Sequence, residues 1–198
     1  MAFGAALVDL GQPQEAIEHF EFVLAHCAAP TPDPQIVHHC IWSRYQLGRA
    51  YQQLGDHAAA ERTLMQPLGE WQQMLRPDDL NLLALRRTLA EALLGQARFD
   101  AAATLLRADE ALYAATVEPD YIPLARTRFA LARALAARRP DLPLDAADHL
   151  PDHLADHLAD HLADHLADQA LAAFTAHGPA FASEAGAVTT FIARHTKN

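Results

Sequence analysis

Apolar residues recur along this chain three and four apart, in stretches separated by breaks containing glycine or proline. That period is helical, and no stretch alternates as a half-buried strand would. The pattern predicts helices over roughly 2–10, 13–27, 35–54, 57–75, 79–95, 99–115, 121–138, 149–176 and 179–194. In LGRAYQQLGDHAAAERTL, Leu47 to Leu64, the turn LGDH separates two helical halves. Gly48 and Ala60 are small enough to let a partner helix approach, and Tyr51 and Leu64 fill the space beside them.

The same arrangement returns at an offset of forty-two in LAEALLGQARFDAAATLL, Leu89 to Leu106. Gly48 aligns with Ala90, Tyr51 with Leu93, His57 with Phe99, Ala60 with Ala102 and Leu64 with Leu106. Another forty-two residues on, LARALAARRP puts Ala132 in the small position and Leu135 in the large one. Upstream, Gly4, Leu7, Gly11, Ala16 and Phe20 follow in the same order. Prolines 30, 32 and 34, then 77, then 119 and 123 mark the joints, where a helix has to end. About four copies of a helix-turn-helix unit therefore occupy residues 1–140. Residues 141–198 hold the second helix of the fourth copy, where RRPDLPLDAA replaces the usual short turn, and a terminal capping helix.

Composition narrows the classes of function. The chain has 198 residues, 51% of them hydrophobic, and alanine supplies much of that share, so an all-α fold is expected. A formal charge of -10 excludes the basic footprint of a nucleic-acid binder. No apolar run approaches the roughly 20 residues that cross a bilayer, and MAFGAALVDLG lacks the positive start of a signal peptide. A cytoplasmic chain is expected, and its start inside an amphipathic pattern reads as a fragment. Cys27 and Cys40 lie near His26, His38 and His39, but neither CxxC nor HxxxH accompanies them. Two separate small thiols on adjacent helices are expected there, and no zinc site.

The quoted residues resemble the tetratricopeptide repeats, whose pattern runs small, aromatic, small, large across two helices. The resemblance covers about residues 1–140. A period of forty-two is similar to the longer variety found in kinesin light chain and in bacterial signalling proteins. ALAAFTAHGPAFASEAGAVTTFIARH also resembles the end of tetratricopeptide extensions on bacterial serine/threonine kinases. No glycine-rich loop, HRD or DFG occurs, so the chain would be the interaction part without the enzyme.

The resemblance implies a right-handed superhelical solenoid whose first helices line a groove for a peptide or a neighbouring protein. Beside the packed face of Leu47, Gly48 and Tyr51, helical geometry turns Trp42, Tyr45, Arg49 and Gln52 towards that groove. In the later copies it turns Arg87 and Glu91, then Arg126, Phe129 and Arg133, the same way. Four arginines on one surface favour an acidic partner or a C-terminal carboxylate.

DHLPDHLADHLADHLADHLAD, residues 148–168, repeats a four-residue unit. Each unit turns a helix through about 400°, so every stripe creeps by about 40° per copy and no face stays apolar. Pro151 in a first turn makes Asp148 the N-cap. His149, His153, His157, His161 and His165 stand four apart, and imidazoles at that spacing chelate Zn, Ni or Cu. A monotonous array supplies no outer partners to orient such ligands, so the expectation is adventitious metal affinity on an in-frame expansion, with no required cofactor. The leading function is therefore a non-catalytic protein-binding scaffold. A histidine-rich metal buffer or sensor is the alternative.

Overall fold

Three aspartates account for where three of the helices begin. The computed structural model describes residues 2–27, 33–118, 121–137 and 152–195, with side chains described from residue 3 and, in the last segment, from residue 159. Asp33, Asp56 and Asp79 accept hydrogen bonds from the backbone N–H groups of Gln35 (2.8 Å), Ala59 (2.9 Å) and Asn81 (2.8 Å). These first-turn N–H groups have no partner within the helix, so each carboxylate fixes a start. The helices are α1 (Ala2–Asp9), α2 (Pro13–Ala25), α3 (Pro34–Leu54), α4 (His57–Met74), α5 (Leu80–Gly95), α6 (Phe99–Thr116), α7 (Ile122–Ala136), α8 (Asp152–Ala176) and α9 (Ala182–His195). A 3-10 turn, Gly178–Phe181, separates the last two, and no strand occurs among the described residues. The predicted N-cap Asp148 and the altered turn near residue 140 lie outside the described residues.

The chain divides into two compact units, Met1–Ala97 and Arg98–Asn198. In the first, α2 packs on α1 and α3, and α4 packs on α3 and α5. Leu7, Val8, Ala16, Phe20, Leu47 and Ala50 form one buried cluster across α1, α2 and α3. The small-against-large rule holds at Gly48: a Cβ there would lie 2.5 Å from Cγ and Cδ2 of Leu64. Only glycine lets α3 and α4 meet at that depth.

The turns carry a second constraint. α3 ends with the Gly55 N–H donating to the Gln52 carbonyl and the Asp56 N–H to that of Tyr51, with Gly55 left-handed at φ 84°. Gly11 repeats this at φ 72°, but the residue that aligns with Gly55 in the next copy is Ala97, held at φ 58°. A Cβ in that region costs about 1–2 kcal/mol, more than glycine adds to the entropy of the unfolded chain. Ala97→Gly should therefore raise stability by roughly 0.5–1 kcal/mol. A higher urea midpoint is the expected reading, and a lower one would contradict the turn assignment.

The cysteines require a correction. Cys27, just past α2, and Cys40, in the second turn of α3, form a disulfide with Cα atoms 5.9 Å apart. Because α2 and α3 are packed neighbours, the chain that leaves one and enters the other brings both residues to the same level. Spacing alone showed two cysteines thirteen apart and no metal motif, which is silent about that level.

In the second unit α7 packs on α6 and α8, and α9 packs on α8. Arg128 is buried between the first two, its Nε donating to Glu110 Oε1 at 3.0 Å. From residue 159 onward, the DHLA tract packs into this core through part of its residues. Leu162 is 38% exposed, whereas Leu166 is 4% exposed and Ala163 and Ala167 are fully buried. Ala170, Ala173 and Phe174 continue the buried stripe. The four-residue period leaves Leu162 out of the core and turns Leu166 into it, and QALAAF then restores a helical period that stays in it.

Candidate partner-binding surface

The residues expected to face a partner lie on α3, α5 and α7, and the fold treats them unequally. On α3, Trp42, Arg49 and Gln52 are half-buried. Tyr45 is 5% exposed, with its ring 5.4 Å from Trp42 and 5.6 Å from Trp71 on α4, so it belongs to the core. Its assignment to the surface is corrected. α3 has packed neighbours in α1, α2, α4 and α5. Its buried arc is wider than that of an edge helix, and Tyr45 falls inside it.

The arginines mostly have carboxylates already. Arg49 donates through Nη2 to Asp9 on α1 and through Nη1 to Gln46, both at 2.9 Å. Arg87 and Glu91, four apart on α5, pair at 2.6 Å. In the second unit Arg126 pairs with Glu184 of α9 at 2.9 Å, and its guanidinium lies 5.9 Å from the ring centre of Phe181. Arg133 is exposed and lies 5.9 Å from the ring of Phe129, whose own edge meets Phe191 at 5.7 Å. A surface that reads from sequence as four cations is thus largely neutralised by the protein's own acids. The Arg87–Glu91 pair was legible from its spacing. The pairs with Asp9 and Glu184 join different helices and left no local signal.

The histidine edge is present in part. His161 and His165 are exposed on α8, and the His165 ring lies 2.9 Å from the Gln169 amide nitrogen. His153 and His157 are on the same helix with side chains outside the described residues, and His149 lies wholly outside them. Among the described residues no group of three or more His, Cys, Asp or Glu side chains is placed to hold a metal ion. Asp164 faces α9, 3.7 Å from His195.

Comparison with known proteins agrees with this geometry at the level of fold. The tetratricopeptide repeat family pattern matches residues 43–66, which run from α3 into α4 across the Gly55 turn and contain the Gly48–Leu64 contact. No curated protein matches the chain. Among solved structures it is similar to a Podosopora anserina putative kinesin light chain with nearly identical TPR-like repeats. The identity is 23%, the match covers 99% of this chain and 83% of that one, and the TM-score is 0.66. A crystal structure of a single-substitution variant of that same protein gives 22% identity, 99% and 82% coverage, and a TM-score of 0.67. The fold class is an all-helical solenoid of tetratricopeptide type. These solved neighbours are described as putative kinesin light chains, and the resemblance to kinase extensions gains no support from them. No helix among the described residues is long and apolar enough to cross a membrane.

Proposed function

We propose that the chain is a non-catalytic scaffold that binds a segment of another protein. The observation that carries this reading is the repeated hairpin itself. It buries one face of α3 and of α7 while leaving polar and aromatic side chains, Trp42 and Gln52 in one unit and Phe129 and Arg133 in the other, at the surface. Tetratricopeptide repeats generally mediate protein–protein contacts, and a fold-level likeness alone would not assign a partner. An acidic segment or a C-terminal carboxylate is the partner this reading favours, with Arg133 as its anchor. A guanidinium steadied over Phe129, open to solvent and with no carboxylate partner among the described residues can accept one from a bound segment.

The test is selection from a random peptide library displayed with free C-termini, followed by affinity measurement on the winners. Acidic or free-carboxylate peptides should be enriched. Arg133→Glu should weaken them ten- to hundredfold, since a charged hydrogen bond contributes about 1.5–3 kcal/mol, and should leave the melting curve unchanged. Winners without acids, or with affinity indifferent to Arg133→Glu, would refute the assignment. The cytoplasm remains the proposed compartment. Disulfides there are rare and, where present, usually transient.

A further inference from the structure

We propose that the Cys27–Cys40 disulfide is a redox-controlled staple on the first hairpin, and that its reduction lets α1 and α2 open from α3 while α3, α4 and α5 stay folded. Among the described residues, α1 and α2 pack on each other and on α3. Repeats in a solenoid hold to their neighbours interface by interface, and a unit with few buried contacts opens before the rest. Its apolar attachment is the cluster of Leu7, Val8, Ala16 and Phe20 on Leu47 and Ala50, with Ile17, Leu24 and Tyr51 packed against it and only partly buried. Beyond that, Phe3, Leu10 and Phe22 remain exposed, so part of its apolar surface contributes nothing to docking. Its polar ties are Asp9 with Arg49 and Glu21 with Tyr51, both at 2.9 Å and both at exposed positions, where such pairs are weak. The covalent tie therefore adds a constraint that the exposed polar pairs do not supply.

The chemistry needs a dithiol as reductant. One of its thiolates attacks the half-buried Cys27 sulfur, because Cys40 is buried. The S–S bond breaks, and Cys40 leaves as a thiolate and takes up a proton. The second thiolate of the reductant then resolves the mixed disulfide, releasing Cys27 as its thiol. Two electrons pass from the dithiol, which ends as a disulfide, to the Cys27–Cys40 pair. Opening the ring restores to the detached hairpin the freedom that closing a loop of this length removes, which favours the open state by roughly a hundredfold.

Amide hydrogen exchange on the full chain tests this directly, comparing the oxidised protein, the protein treated with dithiothreitol, and the Cys27→Ser/Cys40→Ser variant. Exchange in α1 and α2 should accelerate by roughly a hundredfold on reduction, with α4 and α5 changing less than threefold, and reoxidation should reverse the effect. The double variant should match the reduced protein with and without dithiothreitol. Three results would overturn the proposal: exchange in α1 and α2 unaffected by reduction, acceleration spread evenly over residues 1–97, or both cysteines alkylated in full in protein purified under oxidising conditions.

Discussion

Replacing Trp71 by alanine should destabilise the first unit by roughly 3–5 kcal/mol. Trp71 is 1% exposed on α4, and its ring faces Tyr45 at 5.6 Å and Trp42 at 6.1 Å, both on α3. The three rings fill the hairpin beyond the Gly48–Leu64 contact, Tyr45 about one helical turn away and Trp42 and Trp71 about two, and Gly69 of α4 faces open space there and does not bring the helices closer. Truncation would leave a cavity with aromatic walls, which collapses poorly, and it would also strip Tyr45 of the neighbour that keeps it dry. Trp71→Phe should cost much less, because the indole N–H has no hydrogen-bond partner among the described residues and only volume is lost. Urea unfolding followed by far-UV circular dichroism gives the comparison. A loss below about 1 kcal/mol for Trp71→Ala would mean the hairpin does not close over this cluster.

The second large effect separates two leucines from the same tetrapeptide. Leu166→Ala should cost roughly 2–5 kcal/mol, whereas Leu162→Ala should stay below about 1 kcal/mol. The local sequence around the two is nearly identical, so helix propensity cannot tell them apart. The tertiary neighbours can: Leu166 lies in the stripe with Ala163, Ala167, Ala170 and Phe174 that faces the second core, and Leu162 is more than a third exposed. Equal costs at the two sites would show that α8 packs in another register. The last units of the expansion therefore contribute Ala163, Leu166 and Ala167 to the core.

Helix positions and the forty-two-residue unit were legible because they depend on local pattern. The Asp56 cap, the Gly55 turn and the Gly48–Leu64 contact all lie within one hairpin, the last joining residues sixteen apart. What the sequence did not disclose depends on which helices become neighbours. Tyr45 was misplaced because helical geometry gives the direction of a side chain but not how many helices surround it. Arg49 and Arg126 looked open to a partner because their acids, Asp9 and Glu184, are forty and fifty-eight residues away. The disulfide was missed for the same reason. Cys27 and Cys40 pair through the packing of α2 on α3, not through any motif.

Between α3 and α4 a small residue in the first helix, Gly48, admits a large one from the second, Leu64. That contact is tested most directly by a double-mutant cycle on Gly48→Ala and Leu64→Ala. Alanine is the better helix former by about 1 kcal/mol, so in an open helix Gly48→Ala would stabilise. Here the new Cβ would meet the Leu64 side chain at 2.5 Å. The single substitution should therefore cost about 1–3 kcal/mol, and the cost should vanish or reverse once Leu64 is alanine, a coupling of at least about 1 kcal/mol. Effects that add within about 0.5 kcal/mol would mean that α3 and α4 do not meet at this level, and the repeat register built on that contact would be wrong.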